Sequence, residues 1–162
     1  MLNVARASLK ALLGLAIRAE MDSQRVYARL ARRLRNLLLR EKIKILAFEE
    51  KKHEKALRNL FSASFPKDTP VIPDKADDKL LPTVIIKPQS SLADILTQAM
   101  NSEKAAEIFY AKLSRRTKGD RRKILAYLSR VEKSHYLMLR SEYSLALAFE
   151  DYAEKDIDKV IT

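Results

Sequence analysis

Two histidines occur in the 162 residues, and each follows a glutamate by three positions: Glu50-Lys51-Lys52-His53 and Glu132-Lys133-Ser134-His135. On a helix, residues three apart share a face, so each pair can present a carboxylate and an imidazole in one direction. A further glutamate precedes each pair by about thirty residues, Glu20 and Glu103, and a tyrosine follows each of these seven positions on, Tyr27 and Tyr110. Ala16-Ile17-Arg18-Ala19-Glu20 through Tyr27-Ala28-Arg29-Leu30 corresponds to Ala99-Met100-Asn101-Ser102-Glu103 through Tyr110-Ala111-Lys112-Leu113. The chain therefore contains an internal duplication. Its product is four carboxylates and two imidazoles, a ligand set for two metal ions.

The elements that carry these residues read as four helices. Glycine is nearly absent, at two residues, and Leu, Ala, Lys, Arg and Glu abound, which points to an all-α protein. Inward positions recur at four-and-three spacing. They are Leu9, Leu13, Ala16, Glu20, Ser23, Tyr27, Leu30 and Leu34 on the first helix, and Leu39, Ile43, Leu46, Glu50, His53, Leu57 and Leu60 on the second. The third gives Leu92, Leu96, Ala99, Glu103, Ala106, Tyr110 and Leu113, and the fourth Leu125, Leu128, Glu132, His135 and Leu139. These are the seams of a bundle, interrupted by carboxylates at one level. A carboxylate in such a seam is unfavourable by several kcal/mol unless neutralised, roughly the penalty for any buried charge. The seams offer no Lys or Arg as partner. Two divalent cations would balance the four glutamates, and oxygen-rich ligation with one imidazole per metal suits iron or manganese, with zinc also able to occupy it.

All five prolines fall between Pro66 and Pro88. One domain is expected over 1–162, with a helical hairpin at 4–61, a crossover linker at 62–90 and a second hairpin at 91–152. Breaks are expected near Arg35-Asn36 and at Thr117-Lys118-Gly119-Asp120, with Asp120 as a cap. Ser91 with Asp94 should cap the third helix. Thr83-Val84-Ile85-Ile86 should lay its apolar side chains along the bundle flank, and Leu145 to Phe149 reads as core or dimer surface.

There is no cysteine, which excludes disulfides, thiol catalysis and iron–sulfur or four-cysteine metal modules in this sequence. The uncharged stretch Ala11 to Ile17 is too short to span a bilayer. Lys10 before it gives a signal-peptide profile, but the stretch runs into the helix carrying Glu20, so cleavage would destroy the duplication. A cytoplasmic protein with no membrane partner is expected. Net charge is +11, and residues 1–60 hold most of it, with fifteen Lys/Arg against six Asp/Glu. The basic runs Arg29 to Arg35 and Arg115 to Lys123 are the best case for nucleic acid. Both end helices, where cations favour the dipole. In an up-down-down-up bundle they would lie at opposite ends, so no nucleic-acid partner is expected.

On Ala16-Ile17-x-x-Glu20 with Tyr27, Glu50-x-x-His53, Glu103 with Tyr110, and Glu132-x-x-His135, the sequence resembles the rubrerythrin branch of the ferritin-like superfamily over nearly its whole length. The resemblance implies a ferritin-like four-helix bundle with a long crossover between helices 2 and 3, and a two-metal site with iron as its first choice. It implies that Glu50 and Glu132 bridge the metals, that Glu20 and Glu103 are terminal ligands, and that His53 and His135 bind one metal each. Tyr27 and Tyr110 would hydrogen-bond ligand carboxylates, and Gln24 and Glu107 are further candidates for that role. The sequence departs from rubrerythrins proper at Ala106, where they carry an additional metal-binding glutamate, and in having no four-cysteine rubredoxin module.

The function expected is a non-haem di-iron or di-manganese oxidoreductase reacting with hydrogen peroxide or dioxygen. Tyr27 and Tyr110 would supply protons, and an external electron-donor redox protein would re-reduce the site. An iron-binding, ferroxidase-type iron-handling protein is the alternative, and storage of iron would require a hollow multimer. A basic bundle associated with RNA is a second alternative. The slack of the crossover permits exchange of hairpins, so a homodimer, in one form domain-swapped, is expected.

Overall fold

The structure, a computed structural model, describes residues 4–148. The expected domain and second hairpin extend past these bounds, as does Phe149. Four helices form. Ser8 accepts a hydrogen bond from the N–H of Ala11 and opens α1, Leu9–Arg33. Asn36 accepts from Leu39 at 3.0 Å and opens α2, Leu37–Ser64, so α2 runs three residues past the expected 61. Ser91 and Asp94 form the expected capping box at α3, Leu92–Arg115. The fourth helix, α4, spans Gly119–Ala148. Gly119 has φ +60°, a left-handed value that lets the chain reverse between α3 and α4. Asp120 lies in the first turn of α4 rather than at its cap, where its charge suits the helix N-terminus.

The direction of the helices follows from what packs together. At one end, Leu13 and Ile17 from the start of α1 meet Leu57 and Phe61 from the end of α2, Phe109 and Leu113 from the end of α3, and Leu125 and Leu128 from the start of α4. At the other, Leu30 and Leu34 meet Leu39 and Ile43, Leu92 and Leu96, and Leu139. Helices α2 and α3 therefore run parallel, and the order is up-down-down-up. The α1–α2 and α3–α4 turns lie at opposite ends, which separates the two basic runs.

Residues 65–91 carry the chain back along the bundle. A helix of 28 residues is roughly 42 Å long at 1.5 Å per residue, well within the crossover's extended reach of about 90 Å. The slack is laid on the surface. Ile72, Leu80 and Leu81 pack on the first apolar cluster, and Val84 and Ile86 on the second. Ile85 points outward, 60 % exposed, so the expected flank contact is made by alternate residues only. Its backbone is clamped by the Gln98 side chain, which accepts from the N–H at 2.9 Å and donates to the carbonyl at 3.2 Å. Ser102 Oγ donates to the Pro82 carbonyl at 2.9 Å. Near the start of α1 the crossover comes so close that a Cβ on Gly14 would overlap the Val71 carbonyl oxygen.

This cover changes the burial of α1. Its seam was expected to be a stripe, yet Leu12 through Ile17 are all buried, because the crossover encloses the side that would otherwise face water. Leu9 and Ser23 are only half-buried, as is Ala106 of α3. On α2 every expected inward residue is buried, with Phe61 in addition. On α4 the expected five are joined by Glu142 and Ala146. Among the described residues no helix is long and apolar enough to cross a membrane.

Candidate metal centre

Between the two apolar clusters the seams present a layer of buried ionisable groups. Glu20 on α1, Glu50 and His53 on α2, Glu103 on α3, and Glu132 and His135 on α4 are all 4 % exposed or less. The structure brings all six together. They form two overlapping quartets, Glu20–Glu50–His53–Glu132 and Glu50–Glu103–Glu132–His135, and in each the donor atoms lie within 4.8 Å of one another. Glu50 and Glu132 belong to both. His53 Nδ1 faces three carboxylates, Glu132 at 2.8 Å, Glu50 at 3.3 Å and Glu20 at 3.7 Å. His135 Nδ1 does the same with Glu50 at 3.1 Å and Glu103 and Glu132 at 3.3 Å. The two rings lie nearly parallel, 5.5 Å apart.

Those separations are short, but the angles do not make hydrogen bonds of all of them. Glu50 Oε1, Glu132 Oε1 and His53 Nδ1 are buried without a hydrogen-bond partner. Orphaned polar atoms in a dry core are rare and need an explanation. Here they converge on shared points instead of pairing along their lone-pair directions, as the donors of a metal do. The six residues fit two metal ions in charge, in donor type and in this convergence.

Without metal the centre holds protons. Burial and the neighbouring Glu50 carboxylate push Glu20 up to about 8. Burial, with Glu50 and Glu132 nearby, likewise raises Glu103 well above the usual carboxylate range. Burial also opposes ionisation of Glu50 and Glu132, but the close approach of the two histidines and of Glu20 or Glu103 brings both below the ordinary value. Burial works against charge on the imidazoles too, yet the carboxylates around them raise both far above an ordinary histidine. Without metal, burial thus favours protons on Glu20 and Glu103, and the surrounding carboxylates favour them on the two imidazoles.

Tyr27 donates to Glu103 and Tyr110 to Glu20. Both tyrosines are fully enclosed, and burial together with the carboxylate each one touches raises the phenol well above its normal value, so each keeps its proton. Glu107 pairs instead with Lys104 at 2.7 Å on the outside of α3, which corrects its candidacy as a partner of the ligands. Gln24 is half-buried and makes no described contact with them.

Two charged residues escaped the sequence reading, Glu49 beside the centre and Glu142 two turns farther along α4. Glu49 Oε2 lies 2.6 Å from His135 Nε2. Glu142 is buried and paired with Lys42. Glu49 has no counterpart in the duplication, where Val131 stands, so a search for repeated positions passes over it. Glu142 does carry a sequence signal, since it lies seven residues after His135 on the same face of α4.

A cavity of about 20 Å³ adjoins the centre, lined by Glu20, Glu50, Glu103, Ala106, Tyr110 and Glu132 and roofed by crossover residues 81–84. Ala106 leaves open the space that a longer side chain would take.

A four-helix, up-down-down-up bundle with this duplicated carboxylate and imidazole centre defines a ferritin-like protein. The rubrerythrin family model matches residues 11–143, and the chain belongs to that family. Among solved structures it is similar to a hypothetical protein from Pyrococcus furiosus, with 36 % identity and a TM-score of 0.81, over 92 % of this chain and 98 % of that one. No curated protein sequence matches it.

Proposed function

We propose that the protein is a non-haem di-iron oxidoreductase that reacts with hydrogen peroxide or dioxygen, with manganese as the alternative metal. The observation that carries this reading is the pair of overlapping quartets with orphaned donors beside a small cavity. Glu50 and Glu132 would each touch both metals. Glu20 and His53 would complete one position, and Glu103 and His135 the other. When bound, a reduced metal pair supplies the two electrons that, with two protons, take hydrogen peroxide to two waters.

The chain's own residues set the conditions. The cavity has room for about one water-sized molecule, which favours a small oxidant such as peroxide or dioxygen over a bulky substrate. Leu81 and Val84, both buried, keep bulk water from its roof. Tyr27 and Tyr110 hold protons at their hydroxyls beside Glu103 and Glu20, within one transfer of the centre. Electrons would return from an external redox protein. Leu38, Ile45 and Phe48, exposed along α2, support a homodimer. Its location would be the cytoplasm.

Metal analysis of protein produced with iron, followed by peroxide addition to the anaerobically reduced protein, tests the proposal. Two metals per chain are expected, with one peroxide consumed per metal pair oxidised. A reduced, loaded protein that peroxide leaves unoxidised would defeat it. Solution scattering separates this reading from iron storage, which needs a hollow multimer.

A further inference from the structure

His53 and His135 occupy equivalent places in the duplication, and each turns Nδ1 toward three glutamates. Their other ring edges differ. His135 Nε2 lies 2.6 Å from Glu49, a carboxylate that reaches in from the partly exposed edge of α2 to α4. The position equivalent to Glu49 in the second half is Val131, which has no hydrogen-bonding side chain. Among the described residues no carboxylate lies within ion-pair distance of His53 Nε2, since all three ion pairs of His53 are made through Nδ1.

We propose that Glu49 is a positioning residue that makes the two metal positions unequal: the one at His135 fills first and holds its ion more tightly than the one at His53. The inference rests on the two-metal reading above. An imidazole that donates Nε2–H to a carboxylate has its Nδ1 lone pair free for a metal, and the same hydrogen bond fixes the ring plane. The carboxylate also makes the ring a stronger donor. Among the described residues His53 has no such support, so a metal there must itself select the ring's tautomer and orientation. Loss of a supporting partner of this kind typically weakens metal binding about 10–100-fold, and that is the expected gap between the two positions. Glu49 also explains why a glutamate sits where the duplication would tolerate an apolar residue.

The test uses the full chain, stripped with chelator and titrated with Co²⁺ by calorimetry. Diffraction at the cobalt edge after one equivalent reads where the ion sits. Wild type should show two steps about 10–100-fold apart, with the first ion at His135. Glu49→Gln and Glu49→Leu should weaken the first step toward the second and leave the second unchanged. Val131→Glu should strengthen the second. Far-UV circular dichroism checks that each variant folds, and Glu49→Gln keeps the side chain's shape should Glu49→Leu fail. Unchanged steps in a folded Glu49 variant, equal weakening of both, or a first ion at His53 would overturn the inference and leave the two-metal reading standing. A folded wild type that takes up no Co²⁺ would instead remove the two-metal reading itself.

Discussion

Tyr110 of α3 donates its hydroxyl to Glu20 of α1, and Tyr27 of α1 returns the same bond to Glu103 of α3. Each tyrosine serves a carboxylate on the other hairpin, so the two bonds tie the halves of the duplication across the centre. Tyr110→Phe removes the donor and leaves a buried carboxyl with one partner fewer. The expected loss is about 1–3 kcal/mol of stability, several degrees in Tm, with no loss of bound metal. Peroxide turnover should slow, since a proton source beside the cavity is gone. Differential scanning calorimetry and metal analysis on Tyr27→Phe and Tyr110→Phe check both halves. Equal Tm values for wild type and both variants would mean that these hydroxyls contribute nothing to the fold.

Metal entry should displace protons, because burial favours them on Glu20 and Glu103 and the carboxylates around the imidazoles favour them on His53 and His135. Glu20 titrates at 4.5 when unfolded and near 8 when folded. Between those values the folded chain binds more protons than the unfolded one, so the stability of the metal-free protein falls as pH rises. The histidines act in the same sense above 6.5, their ordinary value. Glu50 and Glu132, held low, act oppositely and withdraw stability as pH drops below about 4.5. The metal-free protein should thus be most stable near pH 5 and lose Tm toward pH 8. Metal affinity should rise over the same interval, widening the gap between loaded and stripped Tm. Calorimetry in buffers of different ionisation enthalpy should count proton release on metal binding. A stripped Tm that climbs from pH 5 to 8 would contradict this distribution of protons.

Much of the centre was legible because duplication and helical period are both written in residue spacing. Glu50 with His53 and Glu132 with His135 announce a shared face, and the leucine seams on either side fix their level in the bundle. The parallel run of α2 and α3 was legible too, since a crossover of this length is needless between antiparallel neighbours. The enclosure of Leu12 and Leu15 was not, because it depends on where an irregular segment comes to rest. The same holds for Glu49. Its partner is 86 residues away on another helix, and nothing local distinguishes it from a solvated glutamate.

The crossover bears on the centre because its residues 81–84 roof the cavity. Gly14→Ala places a methyl against the Val71 carbonyl, a backbone atom that can yield only by moving the segment. Gln98→Ala removes both bonds to the Ile85 backbone at the opposite end. Each should destabilise by about 1–3 kcal/mol, the range for overpacking or for lost hydrogen bonds. Hydrogen exchange should then quicken at residues 81–85 before it quickens in the helices. Uniform acceleration across the four helices would show that the segment has no independent opening.

Lys42 of α2 reaches Glu142 of α4, a carboxylate 3 % exposed, while Lys42 itself is 36 % exposed. The two do not contribute alike. Glu142 has given up its water and depends on the ammonium, whereas Lys42 can recover solvent by turning outward. Lys42→Met should therefore cost about 1–3 kcal/mol, the penalty of leaving a buried acceptor unsatisfied. Glu142→Leu should cost less, because it removes the buried charge and adds apolar surface next to Leu139 and Ala146. Combining Lys42→Met with Glu142→Leu should return most of the loss, giving a coupling of about 1–2 kcal/mol in a double-mutant cycle. Chemical denaturation of the chelator-stripped protein measures all four forms free of metal linkage. Additive losses would mean that the pair is a surface contact with no energetic bond between its members.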